Sequence, residues 1–92
     1  MKKKINTPAY LFLQKCLKIM EDRYQQYGDY RQNIDNTIKL LKNEGEDLKA
    51  EQVLKVLLAT KGARQLYGTK EDSFIDDINY RAMLYSYYLN SK

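Results

Sequence analysis

The run Val53-Leu54-Lys55-Val56-Leu57-Leu58-Ala59 is apolar at every position but one. At 100° per residue it would present hydrocarbon on nearly every side of a helix. A helix wetted along one face has no use for such a run, so this segment is expected to be the central helix of a bundle, packed by several neighbours. No proline follows Pro8 and no strand-like alternation persists, which leaves helices to supply those neighbours.

Their boundaries follow from local signals. Thr7-Pro8 reads as a start, threonine capping and proline at the first helical position, where its missing N–H costs nothing. Tyr10, Leu13, Leu17, Met20 and Tyr24 then recur at helical spacing, with Cys16 beside them, until Gly28, which predicts a helix from Pro8 to Tyr27. Asp29 with Gln32 forms a capping-box pattern, and Tyr30, Ile34, Ile38 and Leu41 make an apolar stripe, predicting a helix from Tyr30 to Asn43. The polar stretch 43–47, with Gly45, is a loop ending in an Asp47 cap. The central helix continues through Lys61, Ala63 and Arg64 toward Tyr67 and stops at Gly68. Within it Gly62, worth roughly 1 kcal/mol less than alanine, points to a close helix contact. Thr69 with Asp72 is a second capping-box pattern opening the last helix, residues 70–89. There Ile75, Ile78, Ala82, Tyr85 and Leu89 share an apolar stripe, and Asp72, Asp76 and Asn79 form a polar row along its border.

The expected architecture is all-α: a single four-helix bundle-like domain with short loops over residues 1–92, residues 1–6 forming a flexible basic arm. Expected core residues are Leu13, Leu17, Met20, Ile34, Ile38, Leu41, Val53, Leu54, Leu57, Leu58, Ile75, Ile78, Ala82 and Leu89, so that Leu57→Asp would bury an unpaired charge in the central helix and unfold the domain. Ninety-two residues leave room for one core and no second domain.

Composition excludes several chemistries. There is no histidine and a single cysteine, which removes internal disulfides, Cys/His zinc sites, Ser-His-Asp triads and imidazole acid–base work. Cys16 falls on the apolar side of its helix, as a buried thiol would. No apolar run reaches membrane-span length and no signal-like segment follows the initial lysines, so a cytoplasmic protein is expected. The net charge of +4 permits nucleic acid, phosphorylated ligands or acidic proteins as partners without requiring any. Lys2, Lys3 and Lys4 are the basic arm on which a nucleic-acid reading rests. Nine tyrosines with no tryptophan, several at the chain's end, read either as a protein-contact surface involving Tyr80, Tyr87 and Tyr88 or as half-buried filler with wet hydroxyls.

Three motifs recur in order: Arg23-Tyr24-Gln25-Gln26-Tyr27-Gly28-Asp29, Lys61-Gly62-Ala63-Arg64, and Asp72-Ser73-Phe74-Ile75-Asp76-Asp77-Ile78-Asn79-Tyr80. Together they resemble a family of small phage-encoded all-α proteins of unknown function, itself distantly similar to the MazG-like nucleoside triphosphate pyrophosphohydrolases. That resemblance implies Mg²⁺ on Asp72 and Asp76, and phosphates on Lys61, Arg64 and Lys70. The paired E-x-x-E motif of the MazG-like enzymes is absent from the first two helices. The same residues have structural readings: Asp72 against the helix dipole, Asp76 paired with Arg64 or Lys61 across helices, and Tyr-Gly-Asp as a turn with a cap.

The leading functional expectation is a phage-type helical protein that binds a partner, a host or defence protein, with a degenerate nucleotide site. The alternatives are a Mg²⁺-dependent nucleoside triphosphate pyrophosphohydrolase, its site shared across a homodimer, and a basic nucleic-acid-binding protein.

Overall fold

Four helices follow one another in a computed structural model that describes residues 3–90: α1 (Pro8–Tyr27), α2 (Tyr30–Asn43), α3 (Ala50–Gln65) and α4 (Glu71–Asn90). Met1 and Lys2 of the basic arm lie outside the described residues, and residues 3–6 are exposed. No helix among the described residues is long and apolar enough to cross a membrane.

The caps explain where the helices begin and end. Thr7 Oγ1 accepts from the Tyr10 N–H at 3.3 Å. Asp29 accepts from the Arg31 N–H at 3.0 Å and takes the Arg31 guanidinium as a fork, with Nη2–Oδ2 at 2.7 Å. Gln32 therefore does not complete a capping box; its amide donates to Asn36 Oδ1 instead. At the end of α2 the Glu46 N–H reaches the Leu41 carbonyl and the Gly45 N–H the Lys42 carbonyl, a Schellman closure that places Gly45 at φ 89°. The start of α3 differs from expectation. Leu48 packs against the core, which holds residues 46–49 out of the helix, and Lys49 rather than Asp47 is the capping position, its N–H bonded to Gln52 Oε1 at 2.8 Å. α4 likewise starts one residue later than a Thr69 cap predicts, the Lys70 carbonyl accepting from Ser73 and Phe74.

The trunk is the antiparallel pair α3 and α4. Ile34, Val53 and Leu54 form the buried nucleus, with Ile38, Leu41, Leu57, Tyr80, Met83, Leu84 and Tyr87 packed around it. α2 lies across the far end of this pair, where Tyr30 meets Tyr87 edge to face at 6.3 Å and its hydroxyl meets Ser86 Oγ at 2.6 Å. α1 packs on α4 and runs in the same direction. Lys15 reaches Glu71 near the start of α4 at 2.8 Å, and Met20 shares a pocket with Asn79 and Met83 further along.

α4 is rotated from its expected setting. Its buried residues are Ser73, Ile75, Asp76 and Asn79. Ile78, Tyr85 and Leu89 face outward, as does Ala82, a turn of about a third of the helix circumference. On α1 the buried residue is Cys16, whose thiol burial pushes up in pKa, while Leu13 and Leu17 are exposed. The central position of α3 is Leu54, 0% exposed; Leu57 packs at the edge of the cluster.

Two glycines give opposite predictions. Gly28 sits at φ 79°, ψ −164°, a region nearly closed to other residues, so Gly28→Ala is expected to cost about 1–3 kcal/mol. Gly62 is helical, and a Cβ there would meet nothing within 4 Å, so it mediates no close helix contact. Gly62→Ala is expected to stabilise by about 0.5–1 kcal/mol. Paired thermal melts of the two variants check both signs.

Candidate functional site

α4 carries its carboxylates into contact with two other helices. The rotation that buries Asp76 brings Oδ1 to Arg23 Nη1 of α1 at 2.6 Å and Oδ2 to Lys61 Nζ of α3 at 2.9 Å. Asp76 and Lys61 side chains are 11% and 15% exposed, whereas Arg23 keeps 45%. Burial alone would raise the Asp76 carboxyl, but the hydrogen bonds and charges of Arg23 and Lys61 outweigh it and hold the group below the ordinary carboxylate value. The same bond raises the Arg23 guanidinium. One turn on, the buried Asn79 amide donates to the Cys16 carbonyl at 3.1 Å, fixing α1 against α4.

Around this triad opens a cleft of about 750 Å³ at the turn between α3 and α4. Arg23, Lys61, Arg64 and Lys70 give it four cations against the carboxylates of Asp72 and Asp76, with Ser73 and Tyr67 completing the wall. The expected gathering of Lys61, Arg64 and Lys70 with Asp72 and Asp76 thus corresponds to a real juxtaposition. Of the two cross-helix pairings that the sequence suggests, Lys61 meets Asp76 and Arg64 does not. Arg23 takes the second oxygen. Its signal is its place in the first motif, but nothing within that motif says that it reaches a residue 53 positions later.

The donor set does not fit a divalent cation on this chain alone. Both oxygens of Asp76 are engaged by cations. Asp72 is exposed, and among the described residues no group of three or more His, Cys, Asp or Glu is placed to hold a metal. A hard metal needs several oxygen ligands, and one exposed carboxylate beside a neutralised one does not supply them.

A second concavity adjoins the cleft. Met20, Tyr24, Tyr27, Tyr30, Asn33 and Met83 are prominent in the lining of an apolar pocket of about 380 Å³ between the end of α1, the start of α2 and α4, and Arg23 borders both spaces. The tyrosines expected to form a contact surface are divided: Tyr80 and Tyr87 pack on the core cluster, and Tyr88 is 40% exposed with Lys55 Nζ 5.9 Å above its ring.

Fold and site together define an all-α helical domain with a cationic cleft at the turn of its central helix pair. The chain belongs to the family described as "Domain of unknown function (DUF6378)", whose model matches residues 12–88. No curated protein and no solved structure matches it.

Proposed function

We propose that the protein binds a phosphorylated ligand of nucleotide size, the phosphates held in the cleft by Arg23, Lys61, Arg64 and Lys70, without chemistry routed through a metal on Asp72 and Asp76. The observation that carries this is the Arg23–Asp76–Lys61 triad. One buried carboxylate holds two cations in fixed positions, so their ordering cost is met by folding and not by the ligand. Arg64 and Lys70 line the same cleft and form no ion pair among the described residues, which leaves their donors for an anion. The aromatic pocket beyond Arg23 is the right kind of surface for a planar ring, stacked on tyrosine. The distant resemblance to MazG-like nucleoside triphosphate pyrophosphohydrolases supports the same ligand class. It also accommodates a binding protein with a degenerate nucleotide site that acts on a host or defence protein.

Calorimetric titration with ATP, and separately with inorganic triphosphate, both in EDTA, tests the reading. The expected result is metal-independent binding that weakens with salt and falls at least about tenfold in an Arg64→Glu/Lys70→Glu variant. Tighter binding of ATP than of triphosphate would assign the aromatic pocket to the base. Absence of binding in EDTA, with Mg²⁺-dependent release of pyrophosphate abolished by Asp72→Asn, would overturn the proposal in favour of the hydrolase reading.

A further inference from the structure

The chain exposes more surface than its mass accounts for. Its accessible area is 7556 Å², where a folded monomer of 10.9 kDa is expected to show about 5,600 Å². The radius of gyration is 15.5 Å and the longest extent 56 Å, against a radius of about 12 Å for a compact chain of this length. The excess, about 2,000 Å², is more than each partner contributes to a standard interface and falls in the range of obligate homodimers.

Part of the surplus lies on two adjacent helices. On α1, Leu13 and Leu17 are 51% and 58% exposed, and on α4, Ile78, Tyr85 and Leu89 are 36–61% exposed. Each row lies roughly a sixth to a third of a turn around its helix from the Cys16–Asn79 bond that joins α1 to α4. Because the two helices run in the same direction, both rows fall on one side of the pair. The result is a two-helix apolar face wider than the single exposed leucines ordinary on any protein.

We infer that this face docks on the same face of a second copy of the chain, so that α1 and α4 of both copies make one four-helix bundle. The choice of occupant follows from the missing core. Among the described residues, Cys16, Ile34, Val53, Leu54, Leu58 and Ile75 are the buried apolar ones, and α1 contributes just Cys16 to them, a small apolar share for a 20-residue helix. Whatever covers the face must be present whenever the chain folds, and the one partner guaranteed to be there is another copy. Leu13, Leu17, Ile78, Tyr85 and Leu89 line neither the cationic cleft nor the aromatic pocket, so the dimer and the ligand proposal stand or fall separately.

Sedimentation equilibrium of the intact protein should give twice the chain mass, and thermal melting should move to lower temperature on dilution, as for a dimer whose folding and assembly are linked. Leu17→Glu places a charge on the face and should yield monomers. Since loss of the dimer can also unfold the chain, Lys18→Glu, one position along α1 and already solvent-exposed, serves as the control that adds the same side chain off the face, and it should stay dimeric. A wild-type monomer with a melting temperature independent of concentration over two decades would overturn the inference. So would a folded Leu17→Glu dimer.

Discussion

Replacing Asp76 with alanine is expected to lower stability by about 3 kcal/mol or more, a fall in melting temperature of roughly 10–20 °C for a domain of this size. Most of that loss belongs to Lys61, which is 15% exposed and would be left as an uncompensated buried ammonium. Arg23, 45% exposed, can turn to water, and its share is small. The asymmetry gives a control. Asp76→Leu combined with Lys61→Met removes the buried charge as well as its partner and should recover most of the stability. A single Asp76→Ala variant that melts like the parent, compared at one protein concentration, would mean that the triad does not hold α1, α3 and α4 together. The pH dependence has a definite sign. The Asp76 carboxyl titrates below its ordinary value of 3.8 in the folded chain, so the unfolded chain takes up the proton first on acidification. Its contribution is present above that ordinary value and disappears as pH falls through the lower folded one. The parent should lose stability in that acid range more steeply than the double variant.

Leu54→Ala is the second large effect, expected to cost about 2–5 kcal/mol. Leu54 is wholly enclosed, between Ile34 of α2 and the α4 residues around Met83 and Tyr87, so the cavity opens where three helices meet and none can close it alone. Leu57→Ala, at the edge of the same cluster, should cost less, because water can reach part of the vacated space. Denaturant melts of the two variants compare them directly, and an equal or larger loss at Leu57 would place the centre of the core elsewhere.

Much of the cleft can be read from residues close together in the chain. Lys61 and Arg64 fall one turn apart near the end of an apolar helix, and Lys70 and Asp72 open the next helix after a short turn, so nearness in the chain becomes nearness in space. The pairing of Lys61 with Asp76 also follows from antiparallel neighbours. Arg23 does not, since it reaches the site from another helix across 53 residues. The aromatic pocket is equally hidden, because Tyr24, Tyr27 and Tyr30 gather with Met83 only where α1 and α2 meet α4.

Local chemistry is enough to place the helices and to make the chain all-α. A threonine cap with Pro8, glycines at 28, 45 and 68, and apolar repeats at helical spacing are all signals that act within a few residues of where they stand. Which face of each helix turns inward is settled by packing instead. On α4 the apolar repeat favours Ile78, Tyr85 and Leu89, yet Asp76 and Asn79 go in with Ile75. Burying those polar groups costs little once Arg23, Lys61 and the Cys16 carbonyl bond them. Partners 53 and 63 residues away leave no mark on local periodicity, and so the rotation of α4, and with it the cleft, belongs to the assembled fold.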